Sequence, residues 1–314
     1  MQKIKNYCNL FINVIKYKKT FFEDFMFTSF CKKIDFPIEA IEYLAPIDFN
    51  LRQNAKSLEK IELSSNYIRH NEYKKAEETL KELEAQVNIK INTLWVIVLV
   101  DAAIKSYDLY KQNGISDEVY IDTMKDITYK LNEGKKVENN WGIFVAYWYP
   151  MFFTCDRFKL GRLQYERRLS PIDYKGIVKK DDLIFACHIP SCGPLYKQDV
   201  IDSLKKAYDF YNIKKGNYLV VTCHSWLLYK PLVDLFKEGS NTKDFYDMFD
   251  VFDHHESDLK IDGWRIFYTM DLSNLNNLPE DTSLQRNIKN YLLSGGHMGS
   301  GLGMLVFDGE KIIK

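Results

Sequence analysis

Two histidines, His188 and His224, close short apolar runs, Asp182 to Pro190 and Asn217 to Cys223, that read as buried strands. In an open α/β sheet, ligands collect in the crevice beyond the carboxyl ends of the strands, so this placement marks a candidate site. Imidazole titrates near neutral pH and can take a proton from an attacking nucleophile with little tuning. Glu166, in the run GRLQYE (161 to 166), is a second candidate base if burial raises its pKa. Ser225 adds a hydroxyl beside His224. Neighbours on a strand face opposite ways, however, so Cys223, His224 and Ser225 cannot form a dyad among themselves. A Cys223 nucleophile would need a base from another segment, such as His188. Cys187, His188, Cys192, Cys223 and His224 include zinc-ligand types, but they lack the short paired spacing of zinc sites and no metal is expected. A structural, hydrogen-bonding role for either histidine stays open. Arg162, Trp226, Trp264 and Arg286 either shape a substrate pocket or serve core packing and ion pairs.

The elements that must position these residues change character along the chain. Ser57 to Gln86 has apolar residues at three- and four-residue spacing and reads as a pair of amphipathic helices. Ile91 to Gln112 is a more buried helix closed by Asn113-Gly114, and Ser116 caps a helix from Asp117 to Leu131. After Trp141 the pattern turns mixed. Arg162 to Leu169 and Asp182 to Pro190 read as strands, Lys197 to Tyr211 as a helix, and Asn217 to Cys223 as a strand. Ser225 to Phe236 reads as a helix broken near Pro231. Asp250 to His255 and Trp264 to Met270 look like a strand pair, Ser283 to Leu293 like a helix, and Met304 to Ile312 like a closing strand. Between these last two, SGGHMGSGLG (294 to 303) follows a helix and precedes a strand, the reverse of a dinucleotide fingerprint, so it is expected to be a turning loop. The expectation is an α+β (α/β mixed) chain, with a helical N-terminal domain over 1–140 and a sheet-containing domain over 141–314.

Bulk properties exclude several classes of partner. Acidic and basic residues both number 43, so no global field attracts nucleic acid or an anionic membrane. The most apolar stretch, Ile91 to Ile104, contains Asp101 and is too short to span a bilayer. The opening MQKIKNYCNLFINVI is followed by Lys16, Lys18 and Lys19 where a cleavage site would need small residues, so it reads as an amphipathic helix. Six scattered cysteines without a CxxC pair point to a reducing, cytoplasmic compartment.

GRLQYE (161 to 166), HIP (188 to 190), SLKKAYDFY (203 to 211), CHSWLL (223 to 228), SNTKDF (240 to 245) and LPEDTSLQR (278 to 286) occur in an order that resembles bacterial acyltransferase-domain proteins. YKQNGISDEVYIDTMKDI (110 to 127) extends the similarity to roughly residues 90 to 314. The resemblance implies a GNAT-like acyltransferase fold with a mixed, largely antiparallel sheet. It also implies acyl-CoA as cosubstrate and a small acceptor, an amine, that attacks the thioester directly; a noncatalytic binding protein with the same fold is the alternative. In such a site a strand feeds a loop and a helix start that hold the coenzyme A pyrophosphate. Here Ser191, Cys192 and Gly193 would form the loop, and Lys197 would add a charge. The glycine pattern common to that loop is reduced to Gly193, and Pro194 removes one donor. Oligomeric state is not legible. Thiol titration under denaturing, nonreducing conditions is expected to count six free thiols; stable bridges would contradict the reducing compartment.

Overall fold

Residues 26–313 are described by a computed structural model, and they divide into two compact units. The first comprises the chain up to Lys135 together with Asn139–Cys155; the second comprises Lys136–Glu138 and the chain from Asp156 onward. The N-terminal run MQKIKNYCNLFINVI lies outside the described residues.

The first unit is helical throughout. A helix over 26–33 (α1) is followed by α2 (Ile38–Gln53), α3 (Ala55–Arg69), α4 (Tyr73–Val87), α5 (Ile91–Gln112), α6 (Asp117–Met124), α7 (Asp126–Glu138) and the single turn α8 (Pro150–Phe153). α5 is buried all round from Thr93 to Ala103, as a helix apolar on every face must be. The one charge in that run, Asp101, is met by Arg52 Nη2 at 3.3 Å and Lys105 Nζ at 2.7 Å, while Arg52 Nε bonds Asp48 at 2.9 Å. Ser116 caps α6 through the Val119 N–H. The expected single helix from Asp117 to Leu131 is instead two, divided at Lys125. No described helix is long and apolar enough to cross a membrane.

The second unit holds β1 (Arg157–Leu160), β2 (Leu163–Leu169), β3 (Leu183–His188), α9 (Lys197–Phe210), β4 (Leu219–Ser225), α10 (Lys230–Val233), α11 (Asn241–Tyr246), β5 (Asp250–Glu256), α12 (Leu259–Phe267), α13 (Ser283–Leu293), β6 (Gly299–Phe307) and β7 (Ile312–Ile313). The strands form one sheet in the order β1-β2-β3-β4-β6-β5, with β7 on β6. Every pairing is antiparallel except β3 with β4, which are joined through α9 as a parallel pair requires. The mixed, largely antiparallel sheet is therefore as expected.

Strand alternation gives the sheet two faces of different chemistry. On one, Phe158, Tyr165, Phe185 and Phe307 meet α9: Ser203 Oγ bonds the Leu163 N–H and the Tyr165 hydroxyl at 3.0 Å, and Phe185 stacks on Tyr211 at 4.1 Å. On the other, Ile184, Val220, Met304 and Val306 are covered by Tyr174 and Val178 at the β3 N-terminal end. Toward the opposite end that same face becomes polar.

Two expectations fail here. Trp264 to Met270 is not a strand: Asp258 caps α12 through the Lys260 N–H, and Trp264, Ile266 and Phe267 are buried from a helix. Likewise SGGHMGSGLG is not all loop, because β6 begins at Gly299. Gly299, Gly301 and Gly303 share one face of β6; at the first two, neighbouring atoms approach too closely for a Cβ, and at Gly303 a Cβ would be tight. Gly301→Ala would set its methyl against the Leu228 carbonyl. It should cost about 1 to 3 kcal/mol in denaturant unfolding; an unchanged midpoint would show that the Leu228 backbone yields freely.

Candidate active site

On the polar end of the sheet, the register puts Arg157 opposite Glu166, and Gln164 opposite His188, all on one face. Arg157 Nε bonds Glu166 Oε2 at 2.8 Å, and Arg157 Nη2 reaches the same oxygen. His188 Nε2 lies 3.2 Å from it. Burial pushes the Glu166 carboxyl up, but the His188 contact and the Arg157 charge outweigh this and hold it at about 2. The raised pKa that would make Glu166 a base is thus absent: it is a fixed anion with two partners. Burial lowers the His188 pKa, with the Glu166 contact acting against it, so the ring is neutral at ordinary pH. A carboxylate at Nε2 selects the tautomer protonated there and leaves Nδ1 as the accepting nitrogen.

Across the sheet His224 follows a similar plan. Its Nε2 lies 2.9 Å from Ser300 Oγ, which lies 3.2 Å from His255 Nε2, and the two imidazoles stack at 5.2 Å. The serine has one proton, so it donates to one ring and accepts from the other. Burial and the neighbouring His255 lower the His224 pKa. His188 and His224 stand on the same face, since Ala186 pairs with Thr222 and each histidine is two residues further on.

Between them the parallel ladder is short. β3 and β4 pair at Phe185/Val221 and Ala186/Thr222, although the strands run on to His188 and Ser225. Just past the last pair, on the opposite face, the Cys187 thiol meets Cys223, and this contact together with burial pushes its pKa well up. Cys223 and His188 therefore face apart and are not a nucleophile and base. Ser225 is likewise turned from His224; its hydroxyl accepts the Leu227 N–H at 3.2 Å as a cap. Cys31, Cys155, Cys187, Cys192 and Cys223 are free thiols. Cys8 lies outside the described residues. Among the described residues no cluster of His, Cys, Asp or Glu could hold a metal ion.

Beyond β3, Ser191 to Tyr196 form the loop into α9. Gly193 takes φ +114°, and Tyr196, at the helix N-cap, supplies no side-chain cap. Exposed Lys197 opens the helix, but Asp199 in the first turn disfavours an anion there. Arg157, Ser300 and His255 complete the polar face and were not foreseen. The first is hidden by the brevity of β1, and the second by the glycines on either side of it.

Comparison with known proteins agrees with this architecture. The family model described as an N-acyltransferase N-terminal domain matches residues 27–155, and that described as a GNAT-like C-terminal domain matches 158–305. No curated protein matches the sequence. A solved acyltransferase in complex with decanoyl-CoA and teicoplanin is 18% identical with a TM-score of 0.64, covering 87% of this chain and 85% of its own. An acyltransferase complex with decanoyl-CoA alone is 17% identical, with the same score and coverage. Another, with CoA and 10C-teicoplanin, is 22% identical with a TM-score of 0.56, covering 68% and 66%. At these identities the likeness establishes the shared fold. The chain belongs to the acyltransferase-domain proteins that join an N-acyltransferase N-terminal domain to a GNAT-like C-terminal domain.

Proposed function

We propose that the chain is an acyl-CoA-dependent acyltransferase that passes the acyl group to an amine of a small-molecule acceptor by direct attack on the thioester. The carrying observation is the short parallel ladder of β3 and β4, which has no register pair beyond Ala186 and Thr222, with one histidine at the end of each strand on a common face. An extended amide chain such as pantetheine can pair with strand backbone that has no register partner. The pyrophosphate then falls on the loop of Ser191, Cys192 and Gly193 and the start of α9 at Lys197, where the helix dipole favours an anion. The solved relatives with CoA or decanoyl-CoA support this choice of cosubstrate, and those with teicoplanin support a small-molecule acceptor. Because Pro194 lacks an N–H and Asp199 is acidic, a noncatalytic binding protein is the second reading. The free thiols support a cytoplasmic location. Two domains, 1–140 and 141–314, remain the proposed division of labour, with the acyl-CoA site in the second.

In this mechanism His188 Nδ1 takes a proton from the acceptor nitrogen as the new C–N bond forms. Glu166, fixed by Arg157, stabilises the resulting imidazolium. The thioester C–S bond then breaks and coenzyme A leaves as a thiolate, which takes up the proton from the His188 imidazolium; neutral His224, held by Ser300, offers an N–H hydrogen bond to that sulfur. Ser225 has no chemical step, being spent on its cap.

His188→Ala should lower kcat by about 10² to 10⁴ while leaving the acyl-CoA Kd near that of the parent. In the parent, the acid limb of kcat/KM should fall below the ordinary histidine range, because burial depresses the His188 pKa. Glu166→Gln removes a contribution that raises that pKa, so the limb should move lower still, at a reduced rate. The same variant tests stability: the folded Glu166 pKa of about 2 lies below the ordinary 4.5, so its stabilisation is full above that value and lost as pH falls toward 2. Tm measured against pH should lose that portion of its acid slope in Glu166→Gln. A His188→Ala enzyme with parental kcat would remove the assigned base.

The loop assignment is tested by Gly193→Val, which is forced out of φ +114° and should weaken CoA binding about tenfold in calorimetry. Gly176→Val, equally open at φ +70°, should lower Tm without touching CoA affinity. Equal CoA affinities in the two variants would place the pyrophosphate elsewhere.

A further inference from the structure

Arg162 follows Gly161 in the turn between β1 and β2 and is 9% exposed. Its guanidinium reaches away from that hairpin into the loop between β3 and α9. Nε donates to the Pro194 carbonyl at 2.9 Å, Nη1 to the Pro190 carbonyl at 2.9 Å, and Nη2 to the Gly193 carbonyl at 2.6 Å. Nη1 also lies 3.3 Å from Cys192 Sγ. One side chain therefore gathers four groups of a loop whose ends belong to other elements.

The consequence follows from peptide geometry. In a trans peptide the C=O of one residue and the N–H of the next point in opposite directions. Turning the Pro190 carbonyl toward Arg162 turns the Ser191 N–H away from it, and turning the Pro194 carbonyl inward turns the Leu195 N–H outward. The Gly193 carbonyl can be gathered at no cost in donors, because its partner in the peptide, Pro194, has no N–H to lose. The Cys192 N–H is spent on the Pro190 carbonyl at 2.9 Å. Leu195 then continues into the N–H groups that open α9.

We propose that Arg162 is the positioning residue for the coenzyme A pyrophosphate: it holds the loop with carbonyls inward and N–H groups outward. This rests on the acyl-CoA reading above. The planar, five-donor fork of arginine matches three carbonyls at once, whereas a lysine ammonium carries the same charge without that geometry. Arg162→Lys therefore separates shape from charge, and Arg162→Gln removes both.

The experiment compares two donors in the full chain: an acyl-CoA, and the matching acyl-N-acetylcysteamine thioester, which has no phosphate. Calorimetry with 3′-phospho-ADP, the nucleotide half of coenzyme A, runs beside it. In both variants KM for acyl-CoA and Kd for 3′-phospho-ADP should rise about tenfold or more. Turnover of the truncated thioester and KM for the acceptor should match the parent. If Arg162→Gln fails to fold, Arg162→Lys carries the test. Parental acyl-CoA KM in Arg162→Lys overturns the assignment, and so does an equal loss with both donors, which would mark a general structural role. A parent that binds neither CoA nor 3′-phospho-ADP overturns the acyl-CoA reading itself, and this inference with it.

Discussion

A parallel pair of strands inside an otherwise antiparallel sheet is the constraint around which the second unit is organised. Parallel strands need a crossover, and α9 supplies it, so the loop that opens α9 leaves from the carboxyl end of β3. β2 holds β3 on its outer side as far as His188, and β6 holds β4 as far as Ser225. The strands are thus kept extended by their outer neighbours beyond the last register pair they share.

Charge follows the same plan. Glu166 is buried, yet remains ionised because Arg157 and His188 converge on one carboxylate oxygen. Removing one member of such a group leaves its partner's charge without compensation in a low-dielectric place, which is why buried ionic groups tend to be all present or all absent. In the first unit, Asp48, Arg52 and Asp101 obey this logic inside an otherwise apolar helix packing, with exposed Lys105 reaching in to Asp101.

Much of this was legible in the sequence, and unevenly so. α5 and α13 coincide with their expected spans, α5 because a long apolar run is closed by Asn113-Gly114 and α13 because an amphipathic run follows the Thr282 cap. α12 was misread as a strand because WRIFYTM is rich in residues that favour strands, and only Asp258 at its cap and its tertiary burial overrule them. β6 was entered too late, since glycines at 299, 301 and 303 weaken a strand pattern that close packing in fact demands. His188, His224 and Glu166 were found from their positions on strands. The role of Glu166 was inverted because Arg157 lies on a strand four residues long that no periodicity announces. Ser225 was noticed for its neighbour, whereas its hydroxyl is engaged with the backbone ahead of it.

The paired thiols just past the last β3–β4 pair bear on what a thioester-handling cleft must avoid. Sulfur near an activated acyl group is a competing acceptor, and thioester exchange onto it requires a thiolate. Cys187 is kept protonated by its contact with Cys223 and by burial, and both thiols face away from the histidines. In the proposed cleft, two cysteines can therefore border the path of acyl-CoA without acylating the enzyme itself.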